Sequence, residues 1–154
     1  MTPLTEGTSA PDFTSVDQSG NIISLSELKG KKIILYFYPA DNTPTCTDEA
    51  CNLRDNYDLL KVKGYLVIGV SPDTSKSHHK FMDKYNLPFP LIPDSDKVIV
   101  NKYGVWGPKK LFGKTYDGVI RTTFVIDENG VIVKIITKVD AKNHASQIVS
   151  ELTL

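Results

Sequence analysis

The chain has 154 residues, 40% hydrophobic and 23% charged, which suits one domain of ordinary size with a buried core. Eighteen Lys plus Arg balance eighteen Asp plus Glu, for a formal net charge of +0. No field of one sign is available to gather nucleic acid or anionic lipid, which argues against both as partners.

Residues 13–16 and 22–25 flank the turn cluster Asp17-Gln18-Ser19-Gly20-Asn21 and predict a short hairpin. Residues 26–28 form one helical turn ending at Gly30. Residues 32–38 are a near-continuous apolar and aromatic run, the mark of a strand buried on both faces. Thr43 and Pro44 then open a helix, with Thr at the cap and Pro at the first helical position. Ala50, Leu53, Tyr57 and Leu60 recur at helical spacing until Gly64 stops the helix.

Residues 65–70 read as a second buried strand, 75–85 as a helix with Phe81 and Met82 inward, 89–92 as a short strand, and 96–103 as a short helix. Residues 119–126 read as a strand, Asn129-Gly130 as a two-residue hairpin turn, 131–137 as the returning strand, and 142–152 as a closing amphipathic helix. The order β-α-β-α-β-α-β-β-α predicts an α/β protein in which a parallel core lies beside an antiparallel hairpin, with helices for both faces. That is the order of a thioredoxin fold with an N-terminal hairpin extension and a mixed central sheet. With no repeat, low-complexity tract or linker, residues 1–154 read as one domain. The apolar runs are too short to span a bilayer. Residues 1–13 lack a basic region followed by an apolar stretch, so a cytoplasmic protein is expected.

Cys46 and Cys51 carry the chemistry. Cys46 falls in the first turn of the helix that follows a buried strand, where unpaired N–H groups favour a thiolate. The thiolate is the nucleophilic form of cysteine. A free cysteine is also often a small buried hydrophobe. The second cysteine nearby, and Arg121 among Ile120, Phe124, Val125 and Ile126, weigh toward reactivity. Five residues of intact α-helix separate two Cα atoms by roughly 8–9 Å, whereas a disulfide needs less than about 7 Å. Any bond between Cys46 and Cys51 therefore requires the helix to unwind locally. As a permanent staple it would close too small a loop to stabilise much.

The run from Pro39 through Thr43 to Cys46 resembles the peroxiredoxin active-site pattern Pro-x-x-x-Thr-x-x-Cys. With Thr47-Asp48-Glu49-Ala50-Cys51 following, it is similar to the bacterioferritin-comigratory, or Q-type, subfamily. Further matching segments are Ala10-Pro11-Asp12-Phe13, Asp94-Ser95-Asp96, Tyr103-Gly104-Val105-Trp106-Gly107 and Arg121-Thr122-Thr123-Phe124-Val125-Ile126-Asp127. The resemblance implies Cys46 as peroxidatic cysteine and Cys51 as resolving cysteine, joined in a redox disulfide. It implies the Thr43 hydroxyl as a hydrogen-bonding group for thiolate and peroxide, and Pro39 as a shield for the sulfur. Arg121 is then the guanidinium that holds the thiolate, and Glu49 the carboxylate that orients Arg121. The implied substrates are hydrogen peroxide and organic hydroperoxides, with thioredoxin or a similar dithiol as reductant, no metal or other cofactor, and a monomer. One departure is Thr45, where the subfamily usually has Gly. Its β-branched side chain keeps helical dihedrals open and bears on the ease of unwinding.

Other candidates read as background. His78 and His79 are expected on a solvated surface, His144 at a surface or cap, and Trp106 in packing or at the substrate mouth. Lys109, Lys110 and Lys114 are expected in a loose basic loop. A protein disulfide oxidoreductase would favour Cys-x-x-Cys where this chain has Cys-x₄-Cys. A redox sensor would share the first chemical step and stays open as an alternative.

Overall fold

The computed structural model describes residues 4–152. Its frame is a five-stranded mixed sheet in the order β5-β4-β3-β8-β9. β3 (Lys32–Phe37), β4 (Tyr65–Ser71) and β5 (Leu91–Pro93) run parallel, and β8 (Thr122–Ile126) lies antiparallel to both β3 and β9 (Ile132–Ile136). β3 is central because both its faces are apolar. Ile34, Tyr36 and Tyr38 enter one core, while Ile33, Leu35 and Phe37 enter the other, the period-2 alternation of a strand.

The first core is roofed by α1 (Pro44–Asp55), α2 (Tyr57–Val62), α3 (Ser75–Tyr85) and α5 (His144–Leu152). The second is closed by α4 (Val98–Lys102), Tyr103, Val105 and the N-terminal segment around Phe13 and Leu25. The predicted hairpin is present as β1 (Thr14–Val16) paired with β2 (Ile22–Ser24), followed by a 3₁₀ turn over Leu25–Leu28.

Four expectations need correction. The helix from Pro44 does not run through to Gly64. Asn56 leaves helical geometry (φ −112, ψ 9), and its side-chain amide donates to Asn52 O at 2.8 Å, a local bond that competes with the backbone ladder. Residues 119–126 are not one strand, because Val119 ends β7 (Lys114–Val119) and pairs with Trp106 of β6 (Trp106–Leu111). The chain changes sheets at Ile120 and Arg121, so Arg121 sits in the connection and not in a strand. The residues expected as a loose basic loop form this β6–β7 hairpin, whose turn places Phe112 (φ 51) and Gly113 (φ 76) in the left-handed region that two-residue hairpin turns require. In the Asn129-Gly130 turn only Gly130 is left-handed (φ 78). The Asp127 carboxylate instead accepts the N–H groups of Asn129 and Val131.

Candidate active site

α1 begins at Pro44 with Thr43 as its cap. Thr47 N–H reaches Thr43 O at 2.9 Å, so the first bond of the helix ladder closes one residue after Cys46. The N–H groups of Thr45 and Cys46 precede that bond and have no partner within the helix, which makes this end electropositive. The Thr43 hydroxyl does not cap the helix; it donates to Ala40 O at 3.0 Å. The Cys46 side chain is buried, with 1% exposure.

The β7–β8 connection aims Arg121 at this helix end. Arg121 Nη2 donates to Cys46 Sγ at 3.2 Å, and Nη1 donates to Glu49 Oε1 at 2.7 Å. One planar guanidinium thus bridges two groups on successive inward positions of α1. Burial opposes the charge of Arg121, but Glu49 and Cys46 outweigh it and raise its pKa. Glu49 is fully buried, and burial pushes its carboxyl up to about 7 from the usual 4.5, with Arg121 pulling the other way.

The structure brings Cys46, Arg121 and Glu49 together. Pro39 and Thr43 lie in the loop leading to α1, Pro39 half-buried and Thr43 exposed. Cys51 is a half-buried free thiol further along the intact α1. Burial raises its pKa, with Arg54 acting against that.

Two of the three histidines read as background are buried instead. His144 is fully buried: Nε2 meets Thr123 Oγ1 at 2.8 Å and Glu49 Oε2 at 3.4 Å, and Nδ1 meets Gln147 Oε1 at 2.9 Å. His78 is fully buried as well, with Nδ1 2.7 Å from Asp41 Oδ2 and Nε2 3.0 Å from Ile92 O. His79 is exposed, as expected. The signal available for His144 was its place at the start of a helix whose apolar stripe faces the sheet. His78 stands three residues before Phe81, on the same inward face of α3.

Lys109, expected in a loose basic loop, is a further cation near the site. Its Nζ donates to Val119 O at 2.8 Å. Burial lowers its pKa, Arg121 adds to that, and Cys46 opposes it, so Lys109 shares the electrostatic neighbourhood of the thiol. Trp106 packs against the second core with Lys97 Nζ 5.0 Å from its ring centre.

Asp41, Asp73 and His78 bring three potential metal-ligand atoms within 4.8 Å of one another. Those groups are held by hydrogen bonds: Asp73 Oδ2 accepts from Asp41 N–H and the Ser71 hydroxyl, and Asp41 Oδ2 accepts from the Ser77 hydroxyl.

A buried thiol at a helix start, bonded to a guanidinium on a thioredoxin-type sheet, defines a class of thiol-based oxidoreductases. Residues 7–135 match the AhpC/TSA family model. Peroxiredoxin Bcp of Bacillus subtilis is 43% identical over 146 residues, covering 95% of this chain and 93% of that protein. Peroxiredoxin Bcp of Escherichia coli is 40% identical over 152 residues, covering 99% and 97%. Among solved structures, a mutant of peroxiredoxin Q from Xanthomonas campestris superposes with a TM-score of 0.85 at 30% identity, over 92% of this chain and 90% of that one. The chain belongs to the AhpC/TSA family and is a peroxiredoxin of the Bcp, or Q, type, an oxidoreductase with thiol peroxidase activity. Among the described residues no helix is long and apolar enough to cross a membrane.

Proposed function

We propose that Cys46 reduces hydrogen peroxide and organic hydroperoxides, that Cys51 resolves the product, and that thioredoxin or a similar dithiol recycles the pair. The single observation that carries this reading is the 3.2 Å bond from Arg121 to Cys46 Sγ at the start of α1. The thiolate attacks the terminal peroxide oxygen, a new S–O bond forms, and the O–O bond breaks. The electron pair leaves on the second oxygen, which takes a proton to become water or an alcohol. Cys46 is left as a sulfenic acid.

Charge builds on the leaving oxygen. Arg121 and the free N–H groups at the helix start are preorganised donors for it. The Thr43 hydroxyl spends its hydrogen on Ala40 O, so toward a peroxide it offers a lone pair that accepts the peroxide hydrogen. Pro39, half-buried in the loop before α1, takes the shielding role that the family resemblance assigns to it. Cys51 then attacks the sulfenic sulfur, water leaves, and the disulfide forms.

α1 is continuous across both cysteines, and intact helix geometry holds their Cα atoms roughly 8–9 Å apart. The resolving step therefore unwinds the turns around Thr45 to Leu53. The test follows peroxide loss with thioredoxin, its reductase and NADPH present. Cys46→Ser is expected to lose turnover altogether, because an alcohol supplies no comparable nucleophile. Cys51→Ser should consume one equivalent of peroxide and stall as the sulfenic acid. Wild-type turnover in Cys46→Ser would overturn the peroxidatic role, and normal cycling of Cys51→Ser would remove Cys51 from resolution.

A further inference from the structure

Glu49 is asymmetric. Oε1 accepts the 2.7 Å bond from Arg121, while Oε2 is fully buried with no hydrogen-bond donor. The atom facing Oε2 is His144 Nε2, at 3.4 Å. The protonation of His144 follows from its other neighbours. The Gln147 amide donates to Lys138 O at 2.7 Å, and its Oε1 accepts Asp140 N–H at 2.8 Å. Those two bonds fix which end of the amide is oxygen. His144 Nδ1 meets that oxygen at 2.9 Å, so Nδ1 carries the hydrogen, and the single lone pair of Nε2 in the neutral ring accepts the Thr123 hydroxyl at 2.8 Å.

An ionised Glu49 would therefore hold a buried carboxylate oxygen with no donor, since the ring nitrogen 3.4 Å away carries no hydrogen. It would also leave Arg121 facing two anions, Glu49 and the Cys46 thiolate, in a site shielded from water. A proton on Oε2 removes both costs.

We propose that the reduced protein holds Glu49 as the neutral acid, so that the Arg121 charge is reserved for the Cys46 sulfur. Glu49 is a positioning residue; it acts through Arg121 and touches no reacting atom. The titratable neighbours agree with this arrangement. From β3, Tyr36 is pushed well above its usual range by burial first, then by Glu49 and Cys46, and stays protonated. From α5, burial lowers His144 to about 4, so its ring is neutral at physiological pH. Asp140 acts on His144 in the opposite sense, and Arg121 adds to the lowering. From α1 and the β7–β8 connection come Cys46 and Arg121 themselves. Burial raises the carboxyl of Glu49 to about 7, against the pull of Arg121.

The inference rests on Cys46 and Arg121 as the reacting pair for its consequence, but its test needs no turnover. Infrared spectroscopy of the reduced protein at neutral pH should show a carboxylic-acid C=O band distinct from the carboxylate bands. Glu49→Gln should lose that band. Glu151→Gln should keep it, a necessary control because Glu151 Oε2 is also buried without a partner. A wild-type spectrum with carboxylate bands alone overturns the proposal even if Glu49→Gln does not fold. Loss of peroxidase assignment for Cys46 would leave these spectra unchanged, so the two readings fail separately.

Discussion

Two buried carboxylate–histidine pairs flank the start of α1, and they are built to opposite specifications. Asp41, in the loop before the helix, is saturated: Tyr38 Oη, Ser77 Oγ and His78 Nδ1 each meet its oxygens at 2.7 Å. His78 Nε2 donates to Ile92 O on β5, so the pair ties the loop to α3 and the sheet. Glu49, within α1, has one strong donor and one bare oxygen. The same two residue types thus make a clamp where donors are plentiful and an adjustable charge where they are scarce. Donor count, not residue identity, separates them.

The largest effect is expected at the saturated pair. Asp41→Ala leaves His78, Tyr38 and Ser77 without their shared acceptor and should destabilise the protein by about 3–5 kcal/mol. Chemical denaturation measures this, and a loss under about 1 kcal/mol would mean that the loop is held by other contacts.

The second pair should show itself through pH. Glu49 is raised from 4.5 to about 7, so its contribution is full below pH 4.5 and lost as pH rises through about 7. His144 is lowered from 6.5 to about 4, so its contribution is full above pH 6.5 and lost as pH falls through about 4. The two slopes oppose each other between pH 4.5 and 6.5, each worth up to about 3 kcal/mol across its range. Relative to wild type, Glu49→Gln should gain stability with rising pH in that window, and His144→Asn should lose it. Equal slopes in the two variants would show that the groups do not titrate as a buried pair.

A smaller effect lies where α1 is fastened to α5. Asn52 Nδ2 donates to Lys142 O at 2.9 Å, and Asn52 Oδ1 accepts Ala145 N–H at 2.8 Å. Asn52→Ala should cost about 1–2 kcal/mol and weaken hydrogen-exchange protection from Thr47 to Leu53, with disulfide formation between Cys46 and Cys51 speeded. Unaltered protection would place the fastening of α1 in its apolar contacts alone. The smallest change is Thr45→Gly at the second position of α1. It should lower local helix stability by about 0.3 kcal/mol, read as a slight rise in exchange rate at the first turn without a shift in the global transition.

Most of the frame was legible because it rests on local rules. A continuous apolar run announced β3, Thr43-Pro44 announced the start of α1, and the 3.6-residue spacing of Ala50 and Leu53 announced its buried face. The bond of Cys46 to Arg121 was legible only through resemblance, since nothing local to either residue points to the other across 75 positions. The β6–β7 hairpin was missed because its strands are exposed and weakly alternating, and its turn uses Phe112 where Asn or Asp usually marks such a turn. The break at Asn56 was missed because a side-chain bond to Asn52 O decides it, while the apolar spacing of Tyr57 and Leu60 continues across it.

By itself the sequence determined the elements, the order that makes a thioredoxin-type sheet, and a cysteine placed at a helix start. These follow from periodicity, capping and turn chemistry, which act over a few residues. Only the tertiary structure decided which polar groups meet in the dark of the core. The burial of His78 and His144, the bare oxygen of Glu49 and the fork of Arg121 all depend on packing between α1, α3, α5 and β8. The energy of a buried charge is set by every donor within a few ångströms, and those donors come from segments far apart in the chain.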